Sequence, residues 1–487
     1  MIETSVVGSP GWWLARLMGK LERKRPDYQN LWDYYTGDAM IAPLNPSSAV
    51  REAFRRLMYL SRTNFAELVV EAVRERMKVT GFRTGADSDD LGDKEAWRIW
   101  QANELDADSG MLHRAKLVMG DAYAMIGGVD PEIGAAVITP EDPREVITEH
   151  DSVRKRKVIA ALKVFCDDTV GLDKAILFLP GKVYKAARQS NDANTYSLGD
   201  LGAWEWMPNT PETWPSLTIP VVRFPNRADL SGCSKGEFEP HLPILDRINY
   251  EILQRLEIAT MQAFKQRGIK GLPQIGPDGK EIDYTDVFSA DPGALWQLPA
   301  TADIWESGQV DLSGIRDSIR HDVQDLAAVT RTPLFYLTPD AANGSAEGAS
   351  LAREGLVFKT EDRLLETGES WEATEAIAFD LAGDKERAKR TDMEVIWASP
   401  ERFSLAERFD AAVKASAAGV PWRTVMATIL QYSPQEIARM EEERGQDVLL
   451  GIPEGPVQTR VTEQGVVNGT PPAAPPPPAN PPVSAGT

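Results

Sequence analysis

Apolar positions recur at intervals of three and four over long stretches of the chain, the period of amphipathic helices. Asn64 opens one such stretch, with Glu67 three residues on in the manner of a capping box. Phe65, Leu68, Val69, Ala72, Val73 and Met77 follow on one face. The first 83 residues are expected to be mainly helical. A second helix carries Trp97 and Trp100, with Leu105 just beyond, and a third, capped by Ser109, carries Leu112, Ala115 and Met119. Over residues 121–224 the pattern shifts to short β-rich runs at 123–126, 136–139, 159–165, 175–179 and 221–224, separated by turns such as Pro180-Gly181. This predicts an α+β region built on an antiparallel sheet.

Three long helices dominate the chain beyond residue 240. The first covers 242–267, where Leu245, Ile248, Ile252, Leu256, Ala259 and Ala263 step by three or four and Ile244, Leu253 and Phe264 widen the stripe. At about 1.5 Å per residue it spans roughly 40 Å, and Gly268 and Gly271 end it. Residues 269–308 are rich in Gly and Pro, with brief strand-like pieces around Ile282 and Leu295. The second helix covers 314–331, with Ile315, Ile319, Val323, Leu326 and Val329 in line and Pro333 as its stop. The segment 338–350 (TPDAANGSAEGAS) is small and polar and predicts an exposed loop. The third helix covers 351–379 and carries two apolar lines, Leu351/Phe358/Leu365 and Val357/Leu364/Trp371. Residues 393–397 predict one more strand. Residues 403–444 form a helical unit: Ser404 and Glu407 make a capping box, Gly419 closes that helix, Pro421 opens the next, and Ser433, Pro434 and Glu436 begin a third. Residues 470–482 hold eight prolines and predict an extended tail.

Composition narrows the class. The chain has 487 residues, 42% of them apolar, enough for a globular core, and no apolar run approaches the roughly 18 residues of a bilayer span. The stretch 12–18 is short and broken by Arg16, so no signal peptide is expected. Cys166 and Cys233, far apart in sequence, make no disulfide framework and suit a reducing cytosol. The net charge is −20, unevenly spread: residues 1–83 carry 13 Lys and Arg against 9 Asp and Glu, leaving −24 for the remainder. An acidic body does not grip phosphate, but it can surround DNA without holding it.

Signatures of catalysis are missing. Neither a phosphate-binding loop nor Gly-x-Gly-x-x-Gly is present. His113, His150, His241 and His321 never fall at metal-ligand spacing, so no metal and no cofactor are expected. Gly232-Cys233-Ser234-Lys235-Gly236 fits the Gly-x-Ser-x-Gly elbow, but a polar loop separates it from the strand before it, and an ordinary loop is the plainer reading. Asp87, Asp89 and Asp90 resemble the start of a calcium loop, yet Leu91 takes the next ligand position. Lys265, Arg267 and Lys270 cluster where the first long helix ends. They suit the helix C-terminus, or a basic ring if copies assemble.

The order of parts is body, long helix, small module, long helix, flexible loop, long helix, strand and helical cap. Four stretches are recognisable within it: YYTG at 34–37, NFAELVVEAVRERMKVTGFR at 64–83, PVVRFPNRADLSGCSKGEFEP at 220–240, and SLAERFDAAVKASAAGVPWRTVMATILQYSPQEIARME at 404–441. In these the chain resembles the portal proteins of tailed bacteriophages, in the branch found in siphophages of actinobacteria, over about residues 25–445. The resemblance implies an α+β wing over 1–240 with a further strand in 383–402. It implies stem helices in 241–268 and 309–333, a clip at 269–308, a tunnel loop and long helix over 334–382, a helical crown at 403–450, and a disordered Pro-rich tail at 451–487. Asp340, Asn343, Gly344, Ser345 and Glu347 would face the DNA channel, and Lys265, Arg267 and Lys270 would form a basic ring near the clip. It further implies a homo-oligomeric ring of about twelve subunits at one capsid vertex of the virion, assembled in the host cytoplasm. Double-stranded DNA would pass through without sequence specificity. The partners would be the major capsid protein, scaffolding protein, terminase large subunit and head-tail adaptor, with no membrane and no enzymatic activity of its own. Two alternatives stay open on residues alone: another virion structural protein such as a minor head protein, and a hydrolase using Ser234.

Overall fold

The computed structural model describes residues 2–39, 51–86, 92–190, 203–263, 267–275, 279–282, 303–306, 308, 310–338, 346–401 and 403–450. The chain divides into two compact units, residues 1–437 and 438–487. The sheets and the long helices belong to the first. The second begins inside the last helix, where Arg439 pairs with Glu443 one turn on.

Helix α1 (Pro10–Thr36) starts on the Ser9 cap with Pro10 in its first turn, buries Leu14, Leu17, Leu21, Leu31 and Tyr35, and stops at Gly37, whose φ of +80° suits a residue without Cβ. Helices α2 (Arg51–Ser61) and α3 (Phe65–Arg74) follow; Asn64 caps α3. Strand β1 (Val79–Arg83) leads to α4 (Lys94–Ala102), capped by Asp93. Helix α5 (Leu105–Met119) begins ahead of Ser109, which is buried within it and caps nothing. The reversal is made by Glu104 in the left-handed region and by the Asn103 amide, which donates to the Ile99 and Ala136 carbonyls.

The predicted antiparallel β region is present, and richer than the apolar runs suggested. Strands β2 (Asp121–Asp130), β3 (Ala135–Glu141), β4 (Val146–His150), β5 (Val158–Asp167), β6 (Leu172–Leu179), β7 (Lys182–Gln189), β8 (Glu205–Trp206), β9 (Glu212–Thr213) and β10 (Val221–Pro225) form two antiparallel sheets. One has the order β10-β2-β3. The other runs β4-β5-β6-β7-β8, with β9 also on β7. The N-terminal half of α1 packs on one face of the larger sheet through Leu14, Leu17 and Leu21 against Leu162 and Leu177.

Helix α6 (Leu242–Ala263) ends short of the expected Arg267, because Arg267 and Gly268 belong to strand β11 (Arg267–Lys270), paired antiparallel with β12 (Asp303–Glu306). Of the two strand-like pieces expected between them, the one at Ile282 appears as a single bridge between Ile275 and Glu281; Leu295 lies outside the described residues. Helix α7 (Ser313–Thr330) stops at Arg331, and the short α8 (Leu334–Leu337) starts at Pro333. Helix α9 (Ala346–Ala382) takes in the last five residues of the expected loop at 338–350. Strand β13 (Glu394–Trp397) pairs antiparallel with β1, joining chain from before and after the long helices. Helices α10 (Leu405–Ala417), α11 (Trp422–Thr424) and α12 (Pro434–Leu449) complete the order, with a π turn at Val425–Ile429. The Ser404–Glu407 capping box forms as expected, and Ser433 and Glu436 cap α12 reciprocally.

Candidate functional site: a helical pair rooted in a buried charge network

Helices α6 and α7 lie antiparallel. Arg247 donates two hydrogen bonds of 2.6 Å to Asp322, Ser318 donates to Glu251 at 2.8 Å, and Gln262 donates to the Val310 carbonyl at 2.9 Å. The root of α6 is held by the N-terminal helices: Tyr34 donates to Asp246 at 2.6 Å, and the Asn249 side chain accepts from the Thr63 amide at 2.9 Å. Burial falls along the pair. Leu245, Ile248, Ile252 and Leu253 are buried, as are Val323, Leu326 and Ala327, whereas Ile315 and Ile319 are half-buried and Met261 is 64% exposed. The apolar stripe read from the sequence exists: its root is buried, and Leu256 and Ile319 beyond it pack partly against the same core.

Helix α9 is split between its two apolar lines. The line Val357/Leu364/Trp371 faces inward, with Trp371 and Leu364 buried. The parallel line faces out: Phe358 is 57% exposed and Leu365 74%. Large apolar side chains in register on one helix face, left in solvent, mark a surface that needs a partner.

Where α7 ends and α9 passes the body, charges are buried. Glu237 accepts from Arg363 Nε at 2.6 Å and Asn226 at 3.1 Å, with Lys359 Nζ at 3.4 Å. Burial alone would raise its pKa; Lys359 and Arg363 override burial and hold it at about 2. Lys359 also donates to the Thr330 carbonyl at 2.8 Å, satisfying one of the last carbonyls of α7. Lys116, fully buried on α5, donates to Thr367 at 2.6 Å; burial lowers it to about 8 against the pull of Glu366. The Glu366 carboxylate in turn accepts the backbone amides of Arg227 and Ala228 at 3.0 and 3.2 Å. A second network ties α1 to the sheet. Asp121 accepts from Lys24, Tyr28, Arg223 and Ser234 at 2.7 to 2.9 Å, and although burial opposes it, Arg223 and Lys24 hold it ionised well below the usual carboxylate range. Two groups are buried neutral. His113 accepts the Trp371 indole proton at 2.9 Å, and burial lowers it to about 3. Glu375 is fully buried with neither oxygen hydrogen-bonded; burial, aided by Asp93, raises it to about 8.

None of these charged groups was singled out by the sequence. A signal was there for two. Glu375 stands four residues after Trp371 and four before Phe379, and Lys116 stands four after Leu112, each on the apolar line of its helix.

Of the residues expected at the site, Asp340, Asn343, Gly344, Ser345 and Lys265 lie outside the described residues, as do Asp87, Asp89, Asp90 and Leu91, and the side chains of Glu347 and Arg267. Arg267 and Lys270 sit on β11, Lys270 in register with Asp303, so the helix-C-terminus reading of that cluster does not hold for these two. The Ser234 hydroxyl donates to Asp121 at 2.8 Å and accepts from Arg223 at 2.9 Å. It is engaged by a carboxylate and a guanidinium, not by an imidazole that could take its proton. Among the described residues no cluster of three or more His, Cys, Asp or Glu could hold a metal, and no helix is long and apolar enough to cross a membrane.

The chain is similar to known proteins over most of its length. The family model described as "Phage portal protein, SPP1 Gp6-like" matches residues 14–448. The portal protein of Mycobacterium phage L5 is 29% identical over 435 residues, covering 86% of this chain and 85% of its own. The portal protein of Mycobacterium phage D29 is 27% identical over 428 residues, covering 85% and 84%. With its model matched over residues 14–448, the phage portal protein family is the one to which this chain belongs.

Proposed function

We propose that the protein assembles as a closed ring of about twelve copies at one vertex of the capsid and serves as the conduit for DNA entry and exit. The observation that carries this reading is the exposed Phe358/Leu365 line of α9, which has the register of a packed helix face and lies in solvent in the single chain. Cyclic repetition satisfies such faces around a ring. In this reading α6 and α7 are the stem and residues 269–308 the clip. Lys265, Arg267 and Lys270 form a basic ring beside the clip, and the tunnel loop brings Asp340, Asn343, Gly344, Ser345 and Glu347 to the channel. Asp340 and Glu347, the only charges there, are both negative, which favours sliding over firm phosphate binding. Residues 403–450 form the crown. Terminase large subunit supplies the packaging ATPase and docks first, the head-tail adaptor replaces it, and the major capsid and scaffolding proteins surround the ring. The energy-transducing chemistry then lies outside this chain, which acts as a structural conduit.

Electron microscopy of the purified protein tests assembly. Rings of about twelve copies are expected, and Phe358→Glu with Leu365→Glu should leave folded single chains. A monodisperse monomer at all concentrations and in virions overturns the proposal. Shortening the segment 338–345 should leave rings intact and lower DNA per particle; normal DNA content with normal rings removes the channel assignment of that loop.

A further inference from the structure

Two ordered loops and the C-terminal half of α9 enclose a groove of about 1120 Å³. One wall is the turn between β4 and β5. Asp151 organises it by accepting the amides of Val153 and Arg154, both at 2.8 Å. The opposite wall is the loop after β10. Asp229 organises it in the same way, accepting the amides of Ser231 at 2.8 Å and Cys233 at 2.9 Å. The Lys155 ammonium donates to the Leu230 carbonyl and joins the two walls. The floor is α9, where Ala373 and Ala376 are small enough to leave the space open beside Ile377.

Two properties of the rim are unusual together. Leu230 is 93% exposed, Val153 87% and Leu217 79%, although the loops that carry the first two are pinned by their own aspartates. Beside them stand four consecutive cations, Arg154, Lys155, Arg156 and Lys157, all exposed, on a chain whose net charge is −20. Ordering large apolar side chains at the tips of rigid loops leaves them hydrated unless something covers them. The volume slightly exceeds the roughly 300–1,000 Å³ of small-molecule pockets and suits a segment of chain.

We propose that this groove docks an acidic segment of another protein, anchored by apolar side chains that enter between Leu230 and the alanine floor of α9. The cations steer and orient the acidic flanks, and the apolar contacts supply residence time. Duplex DNA fits the rim charge but not the rest: it has no apolar side chain to place on the alanine floor. A neighbouring copy in the ring meets the Phe358/Leu365 face instead.

The test uses the full chain and fluorescence anisotropy. The probe is a labelled peptide of about 14 residues, some four helical turns, with Leu at every third or fourth position and Glu elsewhere. Its Lys-for-Glu counterpart and a duplex of about 30 base pairs are compared at low and physiological salt. The acidic peptide should bind and the basic one should not. Replacing Arg154 and Lys157 by Ser, which leaves Lys155 joining the walls, should weaken binding several-fold and flatten its salt dependence. Leu230→Ser should weaken it several-fold and leave the salt dependence intact. Neither substitution set touches a buried side chain, so melting temperature and ring formation should be unchanged. Binding indifferent to Leu230→Ser would reduce the groove to unspecific charge attraction and overturn the proposal. So would cation variants that lose duplex affinity but keep the peptide's. Variants that instead disrupt association of the chains would assign this face to the ring.

Discussion

The two halves of α9 are built on opposite principles. Its C-terminal half runs through the body: Trp371, Ala378 and Phe379 are buried, and Trp371 makes edge contacts with Trp100 and Phe224 at centroid distances of 4.9 and 4.8 Å. Its N-terminal half carries buried cations on one side and bare apolar residues on the other. The first half has its aromatic side packed within a single chain. The second is complete only on its inner side, where Lys359 and Arg363 meet Glu237. Folding and assembly are thereby separated along one helix, and substitutions should sort by which half and which side they touch.

Glu237→Ala should have the largest effect. It strands Lys359 and Arg363 in the interior, and breaking one side of a buried pair costs about 3–5 kcal/mol. Thermal melting should show the loss, and a loss under about 1 kcal/mol would mean that solvent reaches the network. Glu375→Gln comes next, with a pH signature. The folded-state pKa of Glu375 is raised to about 8 from 4.5, so the folded state holds a proton that the unfolded chain releases. Stability contributed at this site is therefore full below about pH 4.5, falls as pH rises, and levels off above about pH 8. At about 1.4 kcal/mol per unit, the advantage of Glu375→Gln over the native protein should grow by about 3–5 kcal/mol across that window. Parallel stability curves would show that the carboxyl is not desolvated. Phe358→Ser with Leu365→Ser should alter the stability of the single chain by only about 0.5 kcal/mol per site, as exposed substitutions do, while abolishing ring formation. A large loss of monomer stability would place these residues in the core. Arg247→Ala should have the smallest effect, below about 1 kcal/mol, because half of that side chain is in solvent despite its two bonds to Asp322.

Legibility in the sequence obeys the same division. The long helices, the central strands and the capping box at Ser404 all express a period or a cap, and both are local. The two apolar lines of α9 were also legible, but not which one faces inward, since that depends on Leu364 meeting a core assembled from α3, α5, α6 and α7. Strands β4 and β7 were missed because Thr148, Lys182 and Lys185 interrupt the apolar runs that mark a strand. The start of α5 was misplaced because Glu104 reverses the chain by backbone conformation, with no side-chain cap to announce it. The buried charges were invisible for a deeper reason. A carboxylate looks the same in sequence whether water or Arg363 solvates it, and only the fold decides between them.

The roots of α6 and α7 are anchored differently, and this gives the hairpin a mechanical character. Helix α6 is bolted to the N-terminal helices through Tyr34–Asp246 and Thr63–Asn249. Helix α7 ends on Lys359 of α9 through the Thr330 carbonyl. A push at the far end of the hairpin is therefore divided between a fixed leg and a coupled one. Both roots also share one apolar core, so a displacement of either helix is felt at once by the N-terminal helices and by α9.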